Sequence, residues 1–323
     1  MSTANTASLW KTITCWIDAY ADPGAEQVAG DKQIDWLRTL PFIALHAAVL
    51  LVFVLGWSPV AITVALFLYA IRMFAITGFY HRYFSHKAFK TSRLVQFIFA
   101  AIGASAIQRG PLWWASHHRL HHVHSDREQD THSPTQHGFI WSHMGWFLSK
   151  QNFATRHNRI KDFARYPELR FLDRFDILMP LLLAISLYGL GEGLNAYWPE
   201  LGTNGLQMLL WGFVISTVVL YHVTFTINSL AHRFGHRRFE TRDDSRNNFV
   251  LALLTFGEGW HNNHHYYAGS ARQGFAWWEV DITYYVLRMM QALGLIHGLR
   301  PVPAHVFQQR RSNPVRTSMR HVS

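Results

Sequence analysis

The sequence predicts an all-α integral membrane protein with four transmembrane helices and a cytosolic helical cap. Three observations support this fold class: the composition, the length of the apolar runs, and the uneven placement of basic residues. Of the 323 residues, 49% are hydrophobic and only 15% are charged, whereas soluble domains average about 25% charged residues. The length fits a single domain.

The apolar runs define the membrane elements in chain order. The first, second and fourth are long enough, at 1.5 Å per helical residue, to cross a hydrocarbon layer of about 30 Å. The third run, and a further run at 94–107, could by length be either spans or interfacial helices. The second span carries one charge, Arg72, which we expect to extend to the membrane interface. We place the four spans at about 40–57, 60–80, 176–191 and 206–230.

The basic residues distinguish the two sides of the membrane. The outer connections, at 58–59 and about 191–205, contain none of the 30 Lys and Arg residues. The connection at 81–176 holds 14 of them, and the tail at 231–323 holds 12. Because Lys and Arg concentrate on the cytoplasmic side, we expect the large connection and both termini to be cytoplasmic. The run at 94–107 is then not a span, because it would divide this connection across the bilayer.

Three histidine motifs carry the chemistry, and a fourth pair supports them. In the second and third motifs, the i, i+3, i+4 spacing places three imidazoles on one helix face. The i, i+5 spacing of the first motif requires a bent or ending helix, or two separate approaches to a binuclear site. In the fourth, Asn228 and His232 are four residues apart at the end of the last span. The three motifs are His81-Arg-Tyr-Phe-Ser-His86, His118-Arg-Leu-His121-His122 and His261-Asn-Asn-His264-His265.

These histidines predict a binuclear metal site. Imidazole suits Fe, Cu, Zn and Ni, and the single cysteine, Cys15, excludes a Cys-ligated cluster. Iron is favoured because zinc, without redox chemistry, has little reason to lie beside a buried hydrocarbon. The candidate ligands exceed what one ion can bind and fit four or five at each of two ions: His81, His86, His118, His121, His122, His232, His261, His264 and His265.

The topology and the metal site constrain each other. The motifs at 81–86 and 118–122 can meet only if the run at 94–107 does not cross the membrane. The motif at 261–265 can join them only if an even number of crossings follows His122, and the third and fourth spans supply two. The four-span arrangement therefore satisfies both the charge distribution and the assembly of the histidines.

At these motifs the sequence resembles the membrane fatty-acyl desaturases of the stearoyl (delta-9) type, in a bacterial-like form. The resemblance covers about 40–296, which we assign to a desaturase domain at 39–300, between a cytosolic N-terminal segment at 1–38 and a basic, disordered tail at 301–323. It implies a bacterial inner-membrane enzyme whose cap holds the metal site on the cytoplasmic side. The stretches that carry it are GFYHRYFSH, WWASHHRLHHVHSDREQDTHSP, GFIWSHMGW, INSLAHRFGHR and LLTFGEGWHNNHH.

The resemblance also implies a reaction and a set of site residues. The nine histidines would hold two Fe²⁺ ions, with Asn228 acting through water and zinc as an inactive substitute. Trp114 and Thr224 would lie where the substrate tunnel bends. The enzyme would use O2 to insert a cis double bond at the delta-9 position of a saturated acyl chain. A hydroxylase or acetylenase on the same scaffold is the alternative; a non-enzymatic metal carrier is disfavoured because the ligands lie outside the spans.

The partners and supporting residues are further expectations. Ser116 and His117 stand where acyl-CoA enzymes place a basic residue, so the acyl carrier stays open between CoA, a membrane lipid and another carrier. We expect electrons from a separate ferredoxin, rubredoxin or cytochrome b5-like protein with its reductase, contact with membrane lipid, and no nucleic acid. Metal-bound histidines normally donate their second N–H to a carboxylate or carbonyl. The candidates are Asp126, Asp130 and Glu258, for which a helix cap or a salt bridge is an equal reading.

Overall fold

The computed structural model describes residues 14, 16–21 and 32–307. Most of the predicted N-terminal segment and residues 308–323 of the predicted tail lie outside this part of the chain. In the described part, the regular secondary structure is helical apart from one short antiparallel pair, β1 (Lys90–Thr91) and β2 (Ile296–His297). The α-helices are α1 (Trp36–Ala48), α2 (Val52–Leu55), α3 (Pro59–Phe74), α4 (Arg93–Ala104), α5 (Pro111–His124), α6 (Pro134–His137), α7 (Lys161–Ala164), α8 (Pro167–Arg174), α9 (Leu178–Tyr197), α10 (Gly205–Met208), α11 (Ser216–Ser229), α12 (Phe249–Leu254), α13 (His261–Tyr266) and α14 (Ile282–Ala292).

Other helical segments continue or link these α-helices. Three are π-helices, with the wider i→i+5 turn: Ala75–Ser85, Trp141–Gly145 and Leu209–Ile215. Five are 3-10 helices: Val49–Leu51, Trp146–Leu148, Lys150–Asn152, His157–Arg159 and Pro199–Leu201.

Among the described residues, four apolar helical stretches are long enough to cross a membrane, as predicted. They are the first span (Arg38–Leu55), the second (Pro59–Ser85), the third (Leu178–Tyr197) and the fourth (Gly205–Ser229). The helix at 93–104 has only 12 residues and is too short to span. The third span extends past its apolar run, and there the Glu192 carboxylate accepts a hydrogen bond from the Gly205 N–H at 2.9 Å.

Local chemistry fixes where the spans begin and end. The Asp35 side chain caps the start of α1 by accepting from the Arg38 N–H. The Ser58 side chain caps α3, and Pro59 occupies its first turn, where no N–H is needed. Between them, Gly56 adopts a φ of 67°, a conformation that favours glycine. The first two spans are thereby joined by a tight turn.

Polar side chains connect the spans to one another. Arg72 is 1% exposed, and its guanidinium donates to the hydroxyls of Ser216 and Thr217, the latter at 2.7 Å. The prediction that Arg72 extends to the interface is therefore wrong. The fourth span supplies the two hydroxyls, and the end of α4 supplies the Ser105 carbonyl; these bonds satisfy the charge inside the bundle.

A row of histidines also ties the first span to the fourth. The Nδ1 atom of His46 lies 2.7 Å from the Phe42 carbonyl, and its Nε2 lies 3.2 Å from Nε2 of His222. The other nitrogen of His222 is 3.0 Å from Nε2 of His143, whose Nδ1 lies 3.0 Å from the Ser229 hydroxyl. The first span, which is mostly exposed on its outer face, is held by this row.

The remaining residues, 86–177 and 230–307, form a polar cap at one end of the four spans. Its largest core contains Phe79, Tyr80 and Phe84 from the end of the second span, packed against Leu112 and Leu169 of the cap. The pair β1–β2 joins the beginning of the cap to its end. Span and cap therefore share one core, and the π-helix at 75–85 lies inside it.

Arg82 is the ionic centre of this junction. It is 1% exposed, donates to both carboxylate oxygens of Asp281 at 2.9 and 3.0 Å, and donates to Glu258 at 3.0 Å. Asp281 is also the N-cap of α14. One guanidinium thus links the second span to two segments of the cap.

We expect Arg82→Met to lower the free energy of unfolding by about 3–5 kcal/mol, because two buried carboxylates lose their counter-charge. The measurement is chemical unfolding in detergent, followed by tryptophan fluorescence. Arg93→Met is the matched control, since Arg93 pairs with Glu168 while its own side chain is 62% exposed, and such pairs contribute little. Equal losses for the two variants would contradict this account.

Candidate metal centre

The first histidine motif lies on the π-helix at 75–85. The His86 N–H donates to the His81 carbonyl at 3.2 Å, an i→i+5 hydrogen bond. The wider turn brings residues five apart onto one side of the helix, and the two imidazole centroids are 4.9 Å apart. The sequence predicted a bent or ending helix, or two separate approaches. The structure shows an ending helix: His86 is its C-cap, and the widened last turns bring both imidazoles to the same place.

The nine predicted histidines meet in two adjacent groups. Within each group, one nitrogen per residue lies within 4.8 Å of all the others, a geometry that could hold a metal ion. Each triplet is divided, because its i, i+4 pair enters one group and its remaining member enters the other. The five-histidine group is His81, His86, His118, His122 and His264, and the four-histidine group is His121, His232, His261 and His265.

The contacts between nitrogens show that these groups fit a cation. Nε2 of His264 lies 3.0 Å from Nε2 of His81 and 2.9 Å from Nε2 of His122. Nε2 of His86 lies 2.9 Å from Nε2 of His118. An imidazole nitrogen carries at most one hydrogen, so such converging nitrogens cannot all be paired by hydrogen bonds. A metal ion accepts all of their lone pairs.

The three predicted carboxylates each contact the outer nitrogen of a clustered histidine. Asp130 accepts from Nδ1 of His121 at 2.9 Å, and Asp126 accepts from Nδ1 of His232 at 2.8 Å. Glu258 pairs with Nδ1 of His81. A hydrogen on Nδ1 leaves Nε2 as a lone pair facing the group, which is the tautomer that metal binding requires.

A fourth carboxylate, Asp243, was not predicted. It accepts from Nδ1 of His265 at 2.8 Å, and Nε2 of His265 is buried without a hydrogen-bond partner in the described structure. In the sequence, Asp243 is one of two adjacent aspartates in a loop, 22 residues before His265. The available signal in the sequence was an acidic residue between two histidine motifs. Nothing in the sequence indicates that this residue is Asp243 rather than Asp244.

The electrostatics favour ionised carboxylates and, at most histidines of the two groups, neutral imidazoles. His121 differs, because the effect of burial, which lowers its pKa, is outweighed by the Asp130 carboxylate, which raises that pKa. Burial, reinforced by neighbouring imidazoles, holds the pKa of His118, His122 and His261 well below the usual value. Burial alone would raise the pKa of Asp126, but its hydrogen bond and charge interaction with His232 lower that pKa to about 2. Neutral imidazole is the form that binds metals.

A cavity of about 400 Å³ runs beside both groups. The predicted tunnel residues line it: Trp114 stacks on His118, with ring centroids 5.0 Å apart, and Thr224 lies across from it. Gln108, which was not predicted, bridges them by donating to the Thr224 hydroxyl at 2.8 Å and accepting from the Trp114 indole at 3.4 Å. Asn228 also lines the cavity, and its backbone carbonyl accepts from Ser142.

Three other histidines lie near the second motif in the sequence. His132 forms a third group with His121 and Asp130, whose ligand atoms also lie within 4.8 Å of one another. His117 is buried, with Nε2 3.2 Å from the Ala154 carbonyl. His124 belongs to none of these groups, although it lies on α5.

Asp243→Asn should weaken metal binding at the four-histidine group by about 10–100-fold, because a neutral amide is a weaker acceptor than the carboxylate that sets the tautomer and orientation of His265. The measurement is metal content per chain during titration with a chelator. Asp244→Asn, one residue away and 45% exposed at the side chain, is the matched control. Identical retention by the two variants would show that Asp243 does not support the group.

Comparisons with known proteins agree with this site. The sequence model of the fatty acid desaturase family matches residues 55–298. The chain is 38% identical over 284 residues to the chloroplastic palmitoyl-monogalactosyldiacylglycerol delta-7 desaturase of Arabidopsis thaliana, covering 86% of this chain and 72% of the relative. It is 38% identical over 271 residues to the sn-1 stearoyl-lipid 9-desaturase of Anabaena variabilis, with coverage of 83% and 94%.

A third relative has a different acyl carrier in its name. The icosanoyl-CoA 5-desaturase of Limnanthes douglasii is 38% identical over 281 residues, which cover 85% of this chain and 75% of the relative. The names of these relatives therefore share the reaction but differ in carrier and in double-bond position. Both the family match and the relatives extend over most of the chain, which belongs to the fatty acid desaturase family and is an oxidoreductase.

Proposed function

We propose that this protein is an O2-dependent fatty-acyl desaturase that inserts a cis double bond at the delta-9 position of a saturated chain, with two Fe²⁺ ions as its cofactor. The observation that carries the proposal is the placement of two histidine groups against one cavity whose lining is largely apolar. The name of the Anabaena relative supports the delta-9 position.

Metal chemistry is needed because an unactivated methylene is neither an acid nor an electrophile that protein side chains attack. When bound, the iron pair supplies the O2-dependent oxidising power that the side chains lack. The five-histidine group would hold one ion and the four-histidine group the other, with Asn228 contributing through a water molecule. Zinc fits the same nitrogens but lacks redox chemistry, so it would be an inactive substitute.

The chain itself positions the substrate and keeps the imidazoles in the correct state. Trp114, Gln108 and Thr224 form a hydrogen-bonded wall beside the histidines, against which an extended acyl chain can bend. The carboxylates of Asp126, Asp130, Asp243 and Glu258 retain the outer protons of their histidines. The apolar lining excludes water from the reacting carbons.

The proposal includes a location and partners. The distribution of basic residues supports cytoplasmic termini and a cytoplasmic cap, in a bacterial inner membrane. The desaturase domain would be 39–300. Two electrons per turnover would come from a separate donor, of the ferredoxin, rubredoxin or cytochrome b5-like type, with its reductase.

The test is expression in a bacterial host, with the double-bond position in its fatty acids determined by mass spectrometry. We expect a cis delta-9 product from the wild type and about two iron atoms per chain in the purified protein. His118→Ala and His265→Ala, one from each group, should abolish the product by removing a ligand. His124→Ala is the matched control on α5 and should retain activity.

Each alternative result is informative. A hydroxylated or acetylenic product would assign the protein to the sister reactions on this scaffold. Unchanged lipids in cells whose protein carries two irons, with a competent electron donor present, would refute desaturation. Activity in both histidine variants would refute the shared metal site.

A further inference from the structure

The cavity lining is most exposed on the spans. Among its lining residues, only Pro41 and Leu181 are exposed, and Leu181 is 51% exposed. Pro41 belongs to the first span and Leu181 to the third. Every other lining residue is buried or half-buried. We call this exposed part of the lining, Pro41 and Leu181, the portal.

The portal lies within two helices that are long and apolar enough to cross a membrane. Both residues are the fourth residue of their spans, which begin at Arg38 and Leu178 at the cap end. At 1.5 Å per residue, the portal is about 4.5 Å inside those starting points. Its surroundings are apolar and exposed: Leu40 is 47%, Ile43 is 43% and Leu182 is 47% exposed. Such a surface suits hydrocarbon.

On the cap side, large buried aromatic side chains line the cavity. They include Trp113, Trp146 and Phe153, which are 4%, 7% and 9% exposed. The Trp113 indole donates to the Asn152 carbonyl at 2.8 Å, and Trp113 and Trp146 stack with centroids 5.6 Å apart. An acyl chain arriving from water at these residues would have to displace their packed rings.

Two cations lie at the boundary between the portal and the cap. Arg38 and Arg109 both line the cavity, and both guanidinium groups lie over the Phe153 ring, at 4.9 and 5.4 Å from its centroid. Arg109 also pairs with Asp176 at 2.7 Å. Arginines at the level where spans enter the cap are placed to meet lipid phosphates.

We propose that the acyl chain enters sideways from the bilayer through the portal, so that the substrate is an acyl group of an intact membrane glycerolipid. The lipid head group stays at the interface near Arg38 and Arg109, and only its chain passes inward to Trp114 and the histidine groups. This proposal rests on the proposed function for its chemistry, but the route itself can be tested by binding alone.

The experiment uses the full-length, metal-loaded protein in lipid nanodiscs. One preparation contains a phosphatidylglycerol with a diazirine in the middle of one acyl chain; another receives an acyl-CoA carrying the same chain. After irradiation, mass spectrometry locates labelled peptides. We expect the phospholipid to label cavity residues such as Phe42, Leu45 and Thr224. Leu181→Trp should reduce this labelling about tenfold, because an indole fills the portal.

Leu182→Trp is the matched control, with the same substitution one residue away at a position of similar exposure that does not line the cavity. It should label like the wild type. Cavity labelling by acyl-CoA but not by phospholipid, or equal labelling of the two tryptophan variants, would overturn the portal while leaving desaturation intact. Phospholipid labelling in a protein that forms no unsaturated product would instead retain the portal and refute the proposed function.

Discussion

The structure depends on one constraint: imidazoles from separate segments must point one nitrogen inward, and each needs a fixed proton on the other nitrogen. Carboxylates meet this need at four histidines, and they also hold the segments together. Glu258 contacts His81 and Arg82, which are adjacent on the second span. Asp126 accepts from His232 and also from the Asp244 N–H. The interactions that set the tautomers are therefore also the ones that assemble the cap.

Because the same carboxylates set the histidine tautomers and hold the segments together, many charged side chains are buried in this structure. Removing a carboxylate from water is costly unless it is paired and hydrogen-bonded. Here Asp281 receives two bonds from Arg82 and backbone N–H groups from Gln273 and Gly274. Arg72 follows the same rule with neutral acceptors, since its buried guanidinium donates to hydroxyls and carbonyls. The bundle thus positions the metal site through satisfied polar contacts rather than through apolar packing alone.

Much of this was predictable from the sequence, because length, hydropathy and charge asymmetry act over whole segments. The four spans, the non-spanning helix at 93–104 and the meeting of the nine histidines follow from such averages and from spacing. What depends on local geometry was not predictable. The i, i+5 spacing at His81 and His86 required the widened turn of a π-helix, and the division of each triplet required the relative placement of α5 and α13. Asp243 and Gln108 carry no spacing signal, because each acts through a contact distant in the chain.

Entry from the bilayer would also determine how the site selects a carbon. A lipid whose head group stays at the interface cannot slide freely along the cavity. The position of the reacting carbon is therefore counted from the carboxyl end of the acyl chain. The carbon beside the histidine groups is then set by the path from the portal at Pro41 and Leu181 to Trp114. Residues beyond Thr224 would limit the length of the methyl end without moving the double bond. On this route, double-bond position and chain length would be governed by different walls of one cavity, and a single substitution would alter one while leaving the other unchanged.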